Sequence, residues 1–424
     1  MKNYFLLFFV LCTFTLHAQR SLIHCGSLID GVSNRAKSNV TVIVEQDKIV
    51  SIDNGFTQPK GDDVVIDLKG HTVLPGLMDM HIHIEGESNP KAYLDRFTKN
   101  KADVAYDAAV YAEKTLMAGF TTVRDLGGSG VNISIRKAIK AGKVKGPRVF
   151  TAGKSIATTG GHADPTNGYR EDLMGDPGPK EGVINGPYEA RKAVRQRYKD
   201  GSDVIKITAT GGVLSVAKDG SGPQFTMDEL KAIVETANQY GMTTAAHAHG
   251  AEGMKRAVEA GITSIEHGTL MTPEIIELMK KKGTYYVPTI TAGKSVEANA
   301  KIEGYYPAVI VPKALAIGPQ IQQTFAAAYK AGVKIAFGTD AGVFDHGENA
   351  REFQYMVEVG MKPMEAIMSA TINSATMLGI EKTLGSIETG KLADIVAVPG
   401  DPLKDMTLMQ KISFVMKEGK IYKK

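Results

Sequence analysis

The sequence predicts an α/β protein: a (β/α)8 TIM barrel with a small β-sandwich domain built from both chain ends. Eight short apolar runs alternate with amphipathic helical runs through the middle of the 424-residue chain, whereas both ends carry only short strand-like runs. Alternating strands and helices form parallel sheets, and eight parallel strands close such a barrel. The 45 glycines are more than is usual and suit a fold with many tight turns between repeated elements.

The barrel is predicted to occupy residues 76–380. Its candidate strands are residues 77–83, 121–125, 148–152, 203–208, 243–247, 262–267, 285–289 and 334–339. Several of these runs follow Ala-Gly or Tyr-Gly, a pair typical of helix C-termini. Residues 156–187 are rich in Gly, Pro and Asp and are predicted to be an insertion, which in a compact domain is usually functional or mobile.

The small β domain is predicted to combine residues 20–75 with residues 381–424. Both stretches contain short β-branched runs separated by polar turns, as in residues 40–44 and 393–398. Isolated short hairpins are only marginally stable in water. The two terminal pieces are therefore expected to pair with each other beside the barrel.

Residues 1–19 have the pattern of a secretory signal peptide. A basic start precedes an apolar run over residues 4–16, and the small residue Ala18 marks a cleavage site near residues 18–19. The alternative is a buried N-terminal helix. A lipoprotein is disfavoured because Cys12 lies inside the apolar run. The expected location is periplasmic or extracellular, without stable membrane insertion, since no other stretch reaches about 18 apolar residues.

Composition excludes several classes of protein. The net charge is only +4 and no basic block is present, so nucleic acid is not expected as the main partner. Two cysteines cannot form a disulfide scaffold or a Cys-rich metal site, and cleavage would leave only Cys25, expected to be a small buried side chain. A small-molecule substrate fits this balance. A homo-oligomer is compatible with it, although no surface pattern indicates an interface.

Polar residues capable of binding metal follow several predicted barrel strands. The residues are His81, His83, His247, His249, His267 and Asp340. Active sites of (β/α)8 barrels form at the carboxyl ends of the strands, and imidazoles with a carboxylate suit a divalent metal. His81 and His83 are two apart on a strand and can face the same ion. Each residue has an ordinary alternative, such as a core histidine or, for Asp340, a helix N-cap. Their joint placement indicates a metal centre.

Lys206 is a charged residue inside an otherwise apolar strand. An unpaired ammonium is strongly disfavoured there, so the side chain is paired, extends towards solvent, or has a lowered pKa. A lysine with a lowered pKa is a nucleophile that can add carbon dioxide. The resulting carbamate is a bidentate anion able to bridge two metals.

Six segments together resemble the amidohydrolase superfamily, over nearly all of the chain after the signal peptide. Four are typical of the superfamily as a whole: residues 73–83, 264–268, 338–342 and 385–394. Two more, residues 206–212 and 246–250, are similar to the imidazolonepropionase-like group that contains Xaa-Pro dipeptidases.

The resemblance implies a metal centre with two divalent ions, expected to be zinc. One ion is held by His81, His83 and Asp340, the second by His247 and His267, and carboxylated Lys206 bridges them. His162 and His249 are implied to contact the substrate, although residues 247 and 249 share a strand face and either could be the ligand. Further candidates for lining the pocket are Tyr169, Arg170, Tyr285 and Tyr286.

The implied activity is hydrolysis of a C–N amide bond in a small substrate, most of all a dipeptide of Xaa-Pro or similar type. A hydroxide bridging the metals attacks, and Asp340 moves its proton to the leaving nitrogen. Deaminases of the superfamily have a glutamate three residues after the fifth-strand histidine, where this chain has Gly250. The alternative is a cyclic amide hydrolase or lactonase on the same metals. A non-catalytic binding relative is disfavoured because all six ligands are present.

Overall fold

The computed structural model describes residues 19–216 and 220–424. The predicted signal peptide therefore lies outside the described residues, apart from Gln19. In the part of the chain that is described, no helix is both long enough and apolar enough to cross a membrane.

The described chain opens and closes with strands, and strands alternate with helices between. It opens with β1 (Arg20–Leu28), β2 (Lys37–Glu45), β3 (Lys48–Asn54) and β4 (Val64–Pro75). The middle contains β5 (Leu77–Ile82), α1 (Ala92–Thr98), α2 (Lys101–Met117), β6 (Phe120–Asp125), α3 (Val131–Lys140), β7 (Arg148–Thr151), β8 (Ala157–Thr158), α4 (Glu171–Met174), β9 (Val183–Ile184), α5 (Pro187–Asp200), β10 (Val204–Thr208), α6 (Met227–Gln239), β11 (Thr243–Ala248), α7 (Ala251–Ala260), β12 (Ser264–His267), α8 (Pro273–Lys282), β13 (Tyr285–Val287), α9 (Ile290–Ala300), α10 (Val311–Ala331), α11 (Arg351–Glu358), α12 (Pro363–Ser369) and α13 (Ile372–Leu378). It closes with β14 (Ile395–Pro399), the 3-10 helix Met406–Gln410, β15 (Phe414–Lys417) and β16 (Lys420–Lys423).

Local sequence signals explain where the helices begin and end. Helix α6 starts at a capping box in which Thr226 and Glu229 satisfy each other's backbone N–H groups, as the sequence predicts. The glycines expected at helix C-termini all have positive φ: Gly119, Gly241, Gly261 and Gly332. Left-handed backbone costs glycine little, so each of these positions turns the chain towards the next strand or strand-like segment.

Seven of the eight predicted barrel segments form parallel strands, in two sheets. One sheet has the order β5-β6-β7 and the other β10-β11-β12-β13. Backbone hydrogen bonds connect the two sheets on one side, as from Asp203 N to Thr151 O at 2.7 Å. The fold of this region is therefore mixed α/β with parallel strands.

The eighth predicted segment, residues 334–339, is extended but forms no continuous ladder. It hydrogen-bonds to both neighbours, through Ala336 N to Tyr286 O at 3.1 Å and Met80 N to Phe337 O at 2.8 Å. The ladder is interrupted because Thr339 N binds the Asp79 carboxylate at 3.1 Å instead of a strand carbonyl. The predicted insertion, residues 156–187, also contains more structure than expected, since β8 and β9 pair in parallel within it.

Strands from both chain ends form one seven-stranded sheet with the order β16-β15-β14-β4-β1-β2-β3. The β2–β3 hairpin bonds to the segment before β14, with Ile49 N to Lys391 O at 3.0 Å and Ala393 N to Asp47 O at 2.7 Å. The sheet therefore curls so that one edge meets a distant part of itself. Cys25 is buried in its apolar core, as expected, and burial raises the pKa of its thiol to about 12. The division at residues 75 and 380 stays a prediction.

Candidate metal centre

One cavity of about 230 Å³ lies at the carboxyl ends of the parallel strands. All eight residues selected from the sequence line it: His81, His83, His162, Lys206, His247, His249, His267 and Asp340. They come from β5, β10, β11, β12 and four connecting segments. Strand order brings them together because parallel strands place their carboxyl ends at the same edge.

His81, His267 and Asp340 form a group of donor atoms that could hold a metal ion. One ligand atom from each of these residues lies within 4.8 Å of the others. Asp340 Oδ1 is 3.4 Å from His81 Nε2 and 3.2 Å from His83 Nε2. Two imidazole nitrogens therefore converge on one carboxylate oxygen, as ligands of a single ion would.

Lys206 reaches the same point from the middle of β10. Its Nζ lies 3.3 Å from His81 Nε2, and the residue is buried. Burial lowers the pKa of Lys206 to about 8. About a tenth of the Lys206 side chains would then be uncharged at pH 7, in the nucleophilic amine form, far more than for an ordinary lysine.

Two of these ligand candidates lie on strained backbone. His267 and Asp340 have φ values of 68° and 62°, and Thr289, beside them, has 54°. Left-handed backbone is uncommon for such residues and persists where the surroundings enforce it, often at active sites. Here the Thr289 hydroxyl lies 2.7 Å from His267 Nδ1. The fold thus holds these side chains towards the cavity at a conformational cost.

The three remaining histidines form a second group beside the first. The His162 ring stacks on His247 with centroids 4.3 Å apart, and His247 Nε2 lies 3.2 Å from Gly211 O. His249 Nδ1 lies 2.8 Å from the Thr269 hydroxyl, and its ring is 4.7 Å from that of His247. The structure therefore brings both fifth-strand histidines, 247 and 249, to the cavity.

Burial keeps most of these rings uncharged. It lowers the pKa of His81, His247 and His267 well below the usual value, and that of His249 to about 4. The pKa of His162 is lowered to about 3, by burial first and then by the charge of His249. A neutral imidazole offers a lone pair, which metal binding requires.

Asp340 and His83 behave differently because they stabilise each other's charge. Burial opposes ionisation of Asp340, but His81, His83 and Lys206 outweigh it and lower the pKa of the carboxyl. Burial likewise opposes protonation of His83, and Asp340 outweighs it and raises the pKa of the ring. Asp340 is therefore ionised at neutral pH, as a metal ligand or proton acceptor must be.

Comparison with known proteins agrees with this geometry. Residues 72–422 match the amidohydrolase family, a span that contains every candidate ligand. The chain belongs to the amidohydrolase family.

Relatives of this amidohydrolase include enzymes of several specificities. An ochratoxinase from Aspergillus niger is 33% identical over 96% of this chain and 88% of its own length. An imidazolonepropionase from Fusobacterium nucleatum is 27% identical over 85% of this chain and 84% of its own length. The solved structure of a Xaa-Pro dipeptidase with methionine bound in the active site is 54% identical, with a TM-score of 0.93, over 96% of this chain and 100% of that one. The predicted resemblance is confirmed, and these relatives imply a TIM barrel with a β-sandwich.

The donor set of this amidohydrolase fits divalent metal. Imidazole nitrogens and carboxylate oxygens suit zinc and similar ions. Asp340 Oδ1 is buried without a hydrogen-bond partner among the described residues. Such an atom in a native fold calls for an unseen partner, and a cation among the His/Asp cluster would supply it.

Sequence reasoning missed two residues that hold the candidate ligand His81 in this amidohydrolase. Arg124 on β6 and Glu266 on β12 are fully buried and connect to His81 Nδ1. The sequence does carry a signal for Arg124 and Glu266. Each is a charged residue inside an apolar strand, which is the same criterion that selected Lys206. Neither belongs to the predicted ligand set, because arginine does not bind metal and Glu266 precedes the candidate ligand His267 on β12, where adjacent side chains point to opposite faces.

Four pocket residues were predicted wrongly. Tyr169, Arg170, Tyr285 and Tyr286 are not among the described residues that line the cavity. Arg170 pairs with Asp172 at the surface, and the Tyr286 hydroxyl donates to His267 O at 2.8 Å from within the core. The cavity wall is instead apolar opposite the histidines: Leu126, Val213, Leu214, Ala292, Val296, Ile317, Ile321 and Val343.

Proposed function

We propose that this amidohydrolase cleaves the C–N amide bond of a small substrate, a dipeptide of Xaa-Pro or similar type, using two divalent metals, with zinc as the expected ion. The observation that most directly supports the proposal is the convergence of His81, His267 and Asp340 beside Lys206. The similarity to a Xaa-Pro dipeptidase over the whole chain supports the substrate class.

The proposed ligand assignment divides the site between two ions. His81, His83 and Asp340 would hold one, His247 and His267 the other, with carboxylated Lys206 between them. The lowered pKa of Lys206 favours this modification. Its free amine attacks carbon dioxide, an N–C bond forms and one proton is released, which leaves a carbamate anion.

Bound divalent metals would lower the pKa of a water molecule and polarise the scissile carbonyl. The chain's own contribution is a proton acceptor at the right place. Asp340, ionised beside His83, would take the proton of the attacking water and deliver it to the leaving nitrogen. His162 and His249 lie farther along the cavity and would bind the substrate.

The apolar wall narrows the proposed substrate further. Helices α9 and α10 contribute Val296, Ile317 and Ile321 to the cavity. Removing apolar surface from water favours binding by roughly 25 cal/mol per Å², whereas a charged side chain would lose hydration against this wall. The proposed dipeptide therefore carries an apolar side chain.

Substrate profiling tests the proposal. The zinc-loaded protein is assayed with Xaa-Pro and other dipeptides, cyclic amides and lactones, at equal concentrations. Hydrolysis of dipeptides with apolar side chains is expected. Activity confined to ring amides or lactones would replace the proposal with its alternative. No activity on any of the panel, despite bound metal, would favour a non-catalytic binding protein.

We propose two further features on sequence grounds. The family relationship supports closure of the eight parallel segments into a barrel, with residues 334–339 joining the two observed sheets. The pattern of residues 1–19 supports export to the periplasm or exterior. N-terminal sequencing of the native protein tests the second feature, and a mature protein that retains residues 1–18 would overturn it.

A further inference from the structure

A buried chain of polar groups lies directly behind His81. His81 Nδ1 is 3.0 Å from Glu266 Oε2, and Arg124 Nη2 donates to Glu266 Oε1 at 2.8 Å. All three residues are 0% exposed. Charged groups so far from water are expensive to bury, and an apolar replacement is often as stable. This arrangement therefore calls for a role other than stability.

The two oxygens of Glu266 have different surroundings. Oε1 accepts hydrogen bonds from Arg124 and, at 2.5 Å, from the Ser264 hydroxyl. Arg124 is itself fixed, since it also donates from Nε to Met80 O at 2.6 Å and from Nη1 to the Ser264 oxygen at 3.1 Å. Oε2 is left facing His81 Nδ1. One side of the carboxylate is thus anchored and the other is presented to the ring.

We infer that Glu266 is a positioning residue that fixes the tautomer of His81 for metal binding. A carboxylate can only accept, so Nδ1 must carry the proton and Nε2 keeps its lone pair. Nε2 is the atom that faces Asp340 Oδ1 at 3.4 Å and Lys206 Nζ at 3.3 Å. The inference deepens the proposed function, on whose metal centre it rests.

The neighbouring ligand candidates are held by weaker partners. His83 Nδ1 lies 2.7 Å from the neutral carbonyl of Gly127, and His267 Nδ1 faces the Thr289 hydroxyl, which can donate as well as accept. Of these three rings, His81 alone has a charged acceptor at Nδ1. Carboxylate partners also raise the basicity of a ligating imidazole, and removing such partners typically lowers metal affinity about 10- to 100-fold.

Glu266→Gln is the informative variant because Arg124 dictates how the new amide must lie. The donors of Arg124 and Ser264 require the amide oxygen on their side, which places the NH2 group against His81 Nδ1. Nδ1 must then accept, and the proton moves to Nε2, where it blocks the metal. Zinc affinity is expected to fall about 10- to 100-fold, measured by competition with a chromophoric chelator.

The matched control is Glu229→Gln. Glu229 is also a buried hydrogen-bond acceptor, but its donors are the backbone N–H groups of Thr226 and Gly186. It caps α6 and is not among the residues that line the cavity. Its zinc affinity should equal that of the unaltered protein. Equal zinc affinities for Glu266→Gln and the unaltered protein would overturn the inference.

A second measurement avoids dependence on the variant's folding. In the metal-free protein with ¹⁵N-labelled histidine, two-bond ¹H–¹⁵N correlations report which ring nitrogen of His81 carries the proton, with His81→Asn used for assignment. Protonation at Nδ1 is expected, and protonation at Nε2 would overturn the inference. Failure of the unaltered protein to bind zinc would refute the proposed metal centre, whereas the tautomer result would still decide the orientation of His81.

Discussion

At the residue scale, Lys206 is the side chain whose chemistry depends most on its surroundings. It lies in a buried strand against His81, and burial lowers the pKa of its ammonium to about 8. An ordinary surface lysine would be almost entirely protonated at neutral pH and would not capture carbon dioxide. The strand environment thus makes this residue the candidate bridge between two metals.

Lys206→Ala is expected to lose most of the bound metal and at least about 100-fold in activity, since a bridging ligand is removed from both proposed ions. Metal content is measured by elemental analysis after reconstitution with zinc and bicarbonate. Lys404→Ala is the control, because Lys404 is exposed and pairs with Asp401 at the surface. Unchanged metal content and activity in Lys206→Ala would refute the bridge.

His249 gives a pH-dependent prediction. Burial lowers its pKa in the fold to about 4, whereas the unfolded chain protonates near pH 6.5. Below pH 6.5 the unfolded state therefore binds more protons, and acidification destabilises the fold until about pH 4. Relative to His249→Asn, the metal-free protein should lose roughly 1.4 kcal/mol of unfolding free energy per pH unit across this window.

Urea denaturation at pH 8, 7, 6 and 5 with a chelator present measures this difference. Between pH 8 and 7 the difference in unfolding free energy between the two proteins should stay constant, because the His249 ring is neutral in both the folded and the unfolded state. A difference in unfolding free energy that stays constant down to pH 5 would show that the ring is protonated as easily in the folded protein as in the unfolded chain.

Individual candidate ligands were predictable from the sequence, whereas the residues behind His81 were only partly so. His81 and His83 follow from a spacing of two on a strand, and Asp340 from its place after the last segment. Glu266 and Arg124 required knowing that β6 and β12 place these two side chains against each other behind His81. Tyr169 and Arg170 failed as pocket residues because nothing in a sequence fixes which side of a loop faces a cavity. Tyr285 and Tyr286 failed because they lie on β13 and pack against apolar core clusters.

At the element scale, the close approach of α9 and α10 shapes the substrate cavity. A Cβ at Gly293 would lie 2.8 Å from Ile321 Cγ2, so this glycine permits the contact. Both residues line the cavity. The candidate metal ligands come from strands and loops instead, which separates the proposed substrate wall from the proposed chemistry.

Gly293→Ala is expected to push Ile321 into the cavity and raise KM several-fold for dipeptides with apolar side chains, with little change in kcat. Overpacking of this kind typically costs about 1–3 kcal/mol of stability. Steady-state kinetics and thermal unfolding measure both effects. Gly70→Ala serves as the control, since a Cβ there meets nothing within 4 Å. An unchanged KM in Gly293→Ala would argue against substrate contact with this wall.

The strand pattern predicted seven elements well and the eighth less so. Apolar alternation identified residues 334–339 as a strand, and they are extended between two neighbours. The side chain of Asp79 captures the N–H and hydroxyl of Thr339, which a propensity argument cannot foresee. The pairing of β8 with β9 escaped prediction because two-residue strands carry no period.

At the scale of the whole molecule, ion pairs join the seven-stranded sheet to the parallel strands. Arg148 on β7 lies 3.0 Å from Asp394, just before β14, and also pairs with Glu418 between β15 and β16. The Asp394 side chain is only 3% exposed. Removing its partner would leave a buried carboxylate poorly compensated.

Arg148→Met is expected to lower the free energy of unfolding by about 3 kcal/mol while leaving kcat/KM unchanged below the transition, because the site lies elsewhere. Chemical denaturation and dipeptide assays at 25 °C check the two halves of this expectation. Arg170→Met is the control, because the Arg170 side chain is 75% exposed and its surface pair should contribute about 0–1 kcal/mol. Equal stability losses in both variants would contradict the account of this interface.

Metal reconstitution decides whether this protein is a two-metal hydrolase. The protein is stripped with a chelator, then titrated with zinc in the presence of bicarbonate, and dipeptide hydrolysis and bound metal are followed together. We expect the metal-free protein to be inactive and its activity to rise and saturate at two zinc ions per chain. Hydrolysis by the stripped protein, or fewer than one bound ion per folded chain at saturation, would refute the proposed metal centre.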